Sequence, residues 1–338
     1  MRMNKQGLTV LKDIIGFGLI ALFLFLFFFI DFSSFDPANL DIPESWLNVN
    51  TIFLSIVLEA IPFILLGVFV SALIQTYVSE ETIQRFIPKN AMVALIPAAL
   101  LAVVFPICEC AIVPVVRRLI KKGMPLHVGV VLLVGAPILN PIVFASTYYA
   151  FQGTMEVVYG RMGLAFVLSI FIGFVIYLLF QNSNQLKWSK EELVGIQPVE
   201  MPKVQNRLKS TLYHASDEFF EMGKYLIFGA FVASLFQTFL DRDILTALAS
   251  SDLAAPAVMM AFAYVLSLCS EADAFVASSF GNTFSIGAIL AFLVYGPMLD
   301  LKNTIMLFAY FKARFVIGLM IVITVSVYCF ILLYQTIM

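Results

Sequence analysis

Long apolar segments recur along the whole chain and constrain its fold more than any other feature. They cover residues 14–30, 51–77, 91–120, 125–150, 158–180, 219–240, 254–280, 284–311 and 314–335. Most are long enough to cross the roughly 30 Å of hydrocarbon in a bilayer, which a helix does in about 20 residues. Backbone groups in lipid must find hydrogen-bond partners within the chain, so the sequence predicts an all-α polytopic membrane protein.

Composition excludes a water-soluble globule. Hydrophobic residues make up 61% of the 338 residues and charged residues only 12%, against roughly 45–50% and about 25% in soluble domains. With a net charge of -2 and no basic stripe, the chain is not expected to bind nucleic acid. It also lacks the GxxxxGK[ST] loop of P-loop nucleotide-binding proteins. Transport driven by the proton gradient is therefore favoured over ATP hydrolysis, and no cofactor is expected.

Charged segments divide the chain into four regions. Basic residues precede the run 14–30, which is too long for a signal peptide and lacks a small-residue cleavage site, so it predicts a retained first transmembrane helix. With the acidic loop that follows, it forms region 1–50. The polar segment 181–216 is basic and is expected to be a cytoplasmic linker. It separates a first repeat at 51–180 from a second at 217–338.

The two repeats are indicated by three matched blocks that occur in the same order. EAIPFILLGVFVSALIQT at 59–76 corresponds to EMGKYLIFGAFVASLFQT at 221–238. PICECA at 106–111 corresponds to SLCSEADA at 267–274, and LVGAPILNP at 133–141 to LVYGPMLDL at 293–301. The sequence therefore predicts two homologous halves.

Charge placement predicts that the second half is inverted. The loop 31–50 is acidic without Lys or Arg and should face outside, while the basic cluster 117–122 should face inside. Both placements hold if segment 91–120 enters and leaves on one side, as a re-entrant hairpin broken around Pro106-Ile-Cys-Glu-Cys. The same break in 254–280 gives each half three crossings and one hairpin, about eight membrane segments in all. Inverted repeats with broken helices are a transporter plan.

Two thiols separated by one residue form the strongest candidate site. Cys108 and Cys110 lie at membrane depth between prolines that favour a broken backbone, and Cys269 occupies the matching region of the second half. Soft thiolates select thiophilic ions such as arsenic(III), copper(I) or zinc, so these three cysteines are the expected metal ligands. The alternative is that they are small apolar filling residues.

Polar residues beside the predicted breaks extend this site. Ionisable groups at membrane depth are costly and are functional by default, although a carboxylate at a hairpin tip could simply contact water. Gly135, Pro137 and Pro141 interrupt another span, and Lys302 is near enough in sequence to neutralise Asp300. The expected substrate-binding residues are Cys108, Glu109, Cys110, Asn140, Cys269, Glu271, Asp273 and Asp300.

Two blocks carry a family resemblance. PICECAIVPVVRRLIKKGMPLHVGVVLLVGAPILNP from Pro106 and SLCSEADAFVASSFGNTFSIG from Ser267 resemble the predicted-permease family that includes the organoarsenical efflux permease. The similarity covers nearly the whole chain from about residue 50. It implies an inner-membrane efflux permease, with a thiol site in the arsenical branch. The most similar subfamily is commonly paired with a second membrane protein and is associated with metal homeostasis. The resemblance carries over all the candidate residues except Asp300.

These observations predict a multi-pass permease of the cell membrane, surrounded by lipid, that exports a small thiophilic solute by proton-coupled secondary transport and is not an enzyme. Two alternatives remain open. A membrane thiol oxidoreductase could use Cys108 and Cys110, although CEC differs from the usual CxxC of redox proteins. A non-transporting subunit of a two-protein membrane complex would also have this composition.

Overall fold

The computed structural model describes residues 44–77, 92–104, 107–152, 154–180, 185–186, 207–239, 253–281 and 283–337, with the backbone alone at 75–77, 207–214, 218 and 221. Contacts divide the chain into two units, Met1–Leu47 and Asn48–Met338. Only the first turn of a helix, Glu44–Leu47, is described in the first unit. The predicted transmembrane helix 14–30 and most of the linker 181–216 lie outside the described residues.

The described residues are almost entirely α-helical, as the apolar segments predict. In chain order the helices are α1 (Glu44–Tyr77), α2 (Leu95–Val104), α3 (Glu109–Lys121), α4 (Leu126–Leu139), α5 (Pro141–Ala150), α6 (Met155–Phe180), α7 (Arg207–Phe239), α8 (Ala254–Leu266), α9 (Ser270–Ser279), α10 (Ile286–Met298), α11 (Leu301–Tyr310) and α12 (Ala313–Ile337). Within the described ranges, six spans are long and apolar enough to cross a membrane, and α2 and α8 are shorter apolar helices.

Exposure in the second unit is inverted relative to a soluble protein. Large apolar side chains such as Leu58, Val104 and Ile321 face outward, whereas Glu109 and Lys302 are almost completely buried. An apolar exterior is stable against lipid, where a buried polar group must find its partners inside the protein. The chain is thus an all-α multi-pass membrane protein, as predicted.

Helices α2 and α3 form a hairpin. The start of α2 lies beside the start of α4, since both are close to Gly173 of α6. A methyl group built on Gly173 would lie 3.1 Å from Leu95 Cδ2 in α2 and 3.3 Å from the carbonyl of His127 in α4. The end of α2 lies deeper, with Ala102 beside Gly135 of α4. Since α3 returns directly to the loop before α4, both open ends of the hairpin lie at one end of the bundle, and its tip is the predicted break.

Helices α8 and α9 form a second hairpin with its tip at a similar depth. Gly296, late in α10, lies beside Ala263 at the end of α8 and Asp273 at the start of α9. The end of α9 returns toward α8, where the rings of Phe280 and Phe262 are 5.8 Å apart, and leads into the start of α10. This hairpin therefore opens toward the end of the bundle at which α10 begins.

Two spans are broken near their middle. Pro141 cannot follow a helical residue comfortably, so α4 ends at Leu139, and Asn140 caps α5 by accepting from the N–H groups of Ile142 (3.0 Å) and Val143 (2.9 Å). Gly135 and Pro137, which were expected to interrupt the span, lie inside α4. Asp300 similarly caps α11 through the N–H of Asn303.

The basic end of α3 and part of the linker lie at the same end of the bundle. The Arg117 guanidinium lies over the ring of Tyr310, with Cζ 4.3 Å from the ring centroid. One residue later, Phe311 forms an antiparallel bridge with Leu186 of the linker. The α2–α3 hairpin opens toward this end. The α8–α9 hairpin opens toward the other end, because α10 begins there and α10 and α11 together run from there to Tyr310. That the shared end is cytoplasmic remains a prediction from the positive-inside rule.

Candidate functional site

The breaks in the two halves meet at Lys302. Its Nζ lies 3.1 Å from Oε1 of Glu109, at the start of α3, and 3.4 Å from Oδ2 of Asp300, at the break before α11. It also donates a hydrogen bond of 2.7 Å to the carbonyl of Ser267, at the end of α8. One ammonium thus contacts three separate breaks, including the predicted partner Asp300, and joins the first half of the chain to the second.

Glu109 depends on this ammonium for its stability in the protein. The side chain is completely buried, and neither carboxylate oxygen accepts a hydrogen bond from the described residues. A buried carboxylate without a partner costs several kcal/mol in the interior of a protein. The ion pair with Lys302 is therefore the main described interaction that offsets the desolvation of Glu109.

The break between α8 and α9 is held by side chains from other helices. Ser267 adopts a left-handed conformation, with φ of 47°, which is unfavourable for a residue with a Cβ. Its hydroxyl accepts the backbone N–H of Leu301 (3.1 Å), and Gln237 of α7 donates to the neighbouring carbonyl of Leu266. Helices α7 and α11 thus fix the backbone geometry at this break.

Arg161 holds the same break from its other side. It is completely buried in α6 and donates hydrogen bonds to the hydroxyl of Thr147 on α5 (2.8 Å) and to the carbonyl of Ser270 on α9 (3.0 Å). Its charge also interacts with Asp273 and Glu271 in the first turn of α9. Arg161 therefore links the first half to the carboxylate-bearing helix of the second.

Both hairpin tips carry a cysteine at the N-cap of the returning helix. Cys108 precedes α3 and Cys269 precedes α9; both have extended backbones, and neither side chain caps its helix. The helix starts therefore align Cys108 with Cys269. The sequence repeat instead aligns Glu109 with Glu271, and the two alignments differ by one residue. The two N-caps therefore place a sulfur atom at equivalent points of the two hairpins.

The three predicted thiols share one buried environment. Cys108 and Cys110 flank Glu109, the ion-pair partner of Lys302, and Cys269 lies two residues after Ser267, whose carbonyl accepts a hydrogen bond from the same ammonium. All three side chains are buried, whereas Cys329 on α12 is exposed. Within the described part of the chain, no group of three or more His, Cys, Asp or Glu side chains has the arrangement of a metal site.

The acidic residues of α9 differ from each other in exposure. Asp273 is buried, and its Oδ2 has no hydrogen-bond partner among the described residues. This oxygen lies beside Gly296, and a methyl group built on Gly296 would be 3.1 Å from it. Glu271 is half-buried beside Ser270. The absence of a side chain at Gly296 is what leaves room for the Asp273 carboxylate.

The predicted residues fall into two groups. Glu109 and Asp300 contact Lys302, and the other candidates lie within three residues of a contact of Lys302 or Arg161: Cys108, Cys110, Cys269, Glu271 and Asp273. Asn140 differs, because its hydrogen bonds to described residues all lie within its own break, including two from Nδ2 to the carbonyls of Ala136 and Pro137. Sequence reasoning missed Arg161, Thr147 and Ser267. A single arginine inside the apolar stretch 155–180 is the signal that could have identified Arg161.

A multi-pass bundle with two re-entrant hairpins, two broken spans and buried charges at the breaks is the architecture of a membrane permease. The chain belongs to the predicted permease family ArsP_1, which matches residues 45–336.

Two relatives cover most of the chain. The "UPF0718 protein YcgR" of Bacillus subtilis (strain 168) is 49% identical over 284 residues, 84% of this chain and 96% of that protein. The "Putative two-component membrane permease complex subunit" of Streptococcus mutans serotype c (strain ATCC 700610 / UA159) is 38% identical over 276 residues, 82% of this chain and 91% of that protein. No solved structure matches the chain.

Proposed function

We propose that this permease exports a small thiophilic solute, a metal or metalloid such as a trivalent arsenical or zinc, by proton-coupled secondary transport. The observation that carries the proposal is the burial of Cys108, Cys110 and Cys269 at two hairpin tips that are joined through Lys302. Soft sulfur ligands favour soft or borderline cations over the hard cations that dominate cellular ion pools.

An excess of buried carboxylates supports coupling to a cation gradient. Among the described residues, Glu109, Asp273 and Asp300 are buried in this cluster together with two buried cations, Lys302 and Arg161. A proton or another cation entering the cluster would reduce this imbalance. Movement of such a charge between the two ends of the bundle is the expected driving step.

We propose further that residues 51–180 and 217–338 are inverted repeats joined by a cytoplasmic linker. Support comes from the matched blocks, the equivalent N-cap cysteines and the opposite openings of the two hairpins. Alternating access in such transporters moves one repeat against the other around a fixed site. We take the thiol cluster as that site.

A second membrane protein is a proposed partner. The Streptococcus mutans relative is named a subunit of a two-component membrane permease complex. At 38% identity over most of both chains, a similar assembly is reasonable to test by affinity purification of this chain from its native membrane.

Uptake of zinc or a trivalent arsenical into everted membrane vesicles tests the proposed export. Changing Cys108 or Cys110 to Ser keeps the size but replaces a soft ligand with a hard, weakly acidic one, so we expect a loss of apparent affinity by at least about tenfold. Glu109→Gln is expected to slow turnover more than binding. Cys329→Ser, on the exposed surface of α12, is the matched control.

The same variants separate the alternatives. A thiol oxidoreductase would lose all activity with either cysteine and would depend on an added oxidant. A subunit that does not itself transport would show no effect in any variant when assayed alone. Transport that is unchanged in both Cys108→Ser and Cys110→Ser would disprove the thiol site.

A further inference from the structure

The ammonium of Lys302 is enclosed by oxygens from three segments of the chain. Glu109 Oε1 lies at 3.1 Å, Asp300 Oδ2 at 3.4 Å and the Ser267 carbonyl at 2.7 Å from Nζ. Two carboxylates and a carbonyl at the end of a broken helix are hard ligands of the kind that hold cations in proteins. We call these three oxygens the oxygen cage. It differs from the proposed thiol site because none of its ligands is a sulfur atom.

The cage needs a positive charge to be stable. Glu109 and Asp300 are both almost completely buried, and neither Glu109 oxygen nor Oδ2 of Asp300 has a hydrogen-bond donor among the described residues. The two carboxylates face one ammonium, so one negative charge remains after the ammonium is counted. The geometry is that of a cation site whose present occupant is attached to the chain.

The occupant is the flexible end of a side chain whose base is tightly packed. A methyl group on Gly229 of α7 would lie 3.2 Å from the Cα and 3.3 Å from the Cβ of Lys302, so α7 packs directly on this position. The ammonium lies beyond these atoms, at the end of four flexible carbons, and its donors can rotate. Entry of another cation would therefore require movement of the end of the side chain while α11 stays in place.

We propose that the oxygen cage is a cation-binding site of the permease, and that a transported or coupling cation binds there by displacing the ammonium of Lys302. The inference rests on the proposed transport function, since it assigns a ligand site to the same cluster. It differs from the thiol proposal in its ligands and in its test, which measures binding and stability without transport.

The test uses the purified full-length protein with Lys302→Met, which keeps most of the apolar part of the side chain but removes its charge. We expect its Tm to fall by about 5–10 °C at low salt, because two buried carboxylates lose their partner. Added Na⁺, Zn²⁺ or NH₄⁺ should restore the Tm in a saturable way, whereas tetraethylammonium, which is too large for the space left by one ammonium group, should not. The wild type and the exposed Lys312→Met variant should respond only at concentrations at least about tenfold higher, because there the cation must displace the ammonium of Lys302.

The responses to Na⁺ and Zn²⁺ distinguish a site for the transported cation from a site for the coupling cation. A site for the cargo should respond to Zn²⁺ at concentrations at least about tenfold below those of Na⁺, because a neighbouring thiol can add a softer ligand. A site for a coupling ion should respond to Na⁺ and NH₄⁺ at concentrations similar to those of Zn²⁺. A shift caused by the thiols alone would occur at the same Zn²⁺ concentrations in the wild type and in Lys302→Met.

Equal cation responses in Lys302→Met and the wild type would overturn the proposal. If Lys302→Met cannot be purified, the isosteric double variant Glu109→Gln/Lys302→Met decides, because it removes the carboxylate that has no hydrogen-bond donor and leaves Asp300 and Ser267 in place. We expect this variant to fold and to gain a cation-dependent Tm. A double variant that does not fold, or that folds without cation dependence, would show that Lys302 has only a packing role.

Discussion

Individual buried charges dominate this protein at the scale of the residue. Placing a charged side chain at the centre of a membrane helix costs about 2.5–3.5 kcal/mol on insertion scales, and Glu109, Arg161, Asp300 and Lys302 are all almost completely buried. Buried ion pairs are rarely more stable than apolar residues of the same volume. The proposed role in binding or transport would account for the cost of burying Glu109, Asp300 and Lys302.

Arg161 should be essential for the structure around α9. Arg161→Met removes two hydrogen bonds and leaves the carbonyl of Ser270 without its donor, so we expect a loss of about 3–5 kcal/mol in the free energy of unfolding. The isosteric change Thr147→Val removes the acceptor of one of these bonds, together with the hydrogen bond that the hydroxyl donates to the carbonyl of Val143, and should cost about 1 kcal/mol. Unfolding by SDS in mixed micelles measures both. Similar losses in the two variants would contradict the assignment of Arg161 as the link between the halves.

A glycine of α1, Gly67, allows close packing on the helix that carries Glu109. A methyl group at Gly67 would lie 2.6 Å from the Cβ of Ala111 on α3, whereas one at Gly163 on α6 would meet nothing within 4 Å. We expect Gly67→Ala to destabilise the protein by about 1–3 kcal/mol through overpacking. Gly163→Ala should be neutral or stabilising by up to about 1 kcal/mol, because alanine is the better helix former. Thermal unfolding in detergent provides the comparison, and equal effects would refute the packing argument.

The functional elements are the breaks rather than the helices. Four short helices, α3, α5, α9 and α11, begin at a break, where their first N–H groups lack partners within the helix. Asn140 and Asp300 satisfy such groups with their own side chains, but Cys108 and Cys269 do not. Cys108 and Cys269, whose side chains do not cap their helices, lie at the hairpin tips. A ligand bound there could accept hydrogen bonds from the first N–H groups of α3 and α9.

The two hairpins are expected to be reached from opposite sides of the membrane. In a Cys329→Ser background, a cysteine at Lys121, near the open end of α2–α3, should react with a membrane-impermeant thiol reagent in everted vesicles only. A cysteine at Gly281, after α9, should react in intact cells only, because the α8–α9 hairpin opens toward the other end. Reaction of both positions from the same side would exclude opposite hairpin orientations and the inverted repeat.

At the scale of the whole molecule, each half completes the other. Helix α3 packs on α11, α5 on α9, and α4 on α10, so every break of one half contacts an element of the other. The buried cations follow the same arrangement, since Arg161 and Lys302 both form contacts between the halves. A single half would expose these charges to lipid.

The two halves should therefore assemble when they are made as separate chains. Cutting the gene within the linker 187–206 gives an N-terminal and a C-terminal fragment that we expect to copurify when expressed together. Each fragment alone should accumulate at a level at least about fivefold lower, because unpaired charges at membrane depth destabilise it. Glu109→Gln in one fragment should weaken copurification. Stable fragments that do not associate would show that the halves fold independently.

The sequence by itself determined the properties that depend on local composition. Segment length and apolarity gave the membrane class, because the thickness of the bilayer fixes how long a helix must be. Proline and polar residues gave the breaks near Cys108, Asn140 and Asp300. The pairing of Lys302 with Asp300 was also predictable, since the two residues are close together in the chain.

Only the tertiary structure decided which breaks meet. Lys302 pairs with Glu109, and Arg161 reaches Ser270, across more than a hundred residues of chain, and no local pattern encodes such a contact. In lipid an apolar side chain packs about equally well against many neighbours, so hydrophobicity does not select the partner helix. The buried charges do, because a buried charge is stable only where three-dimensional packing brings a partner to it.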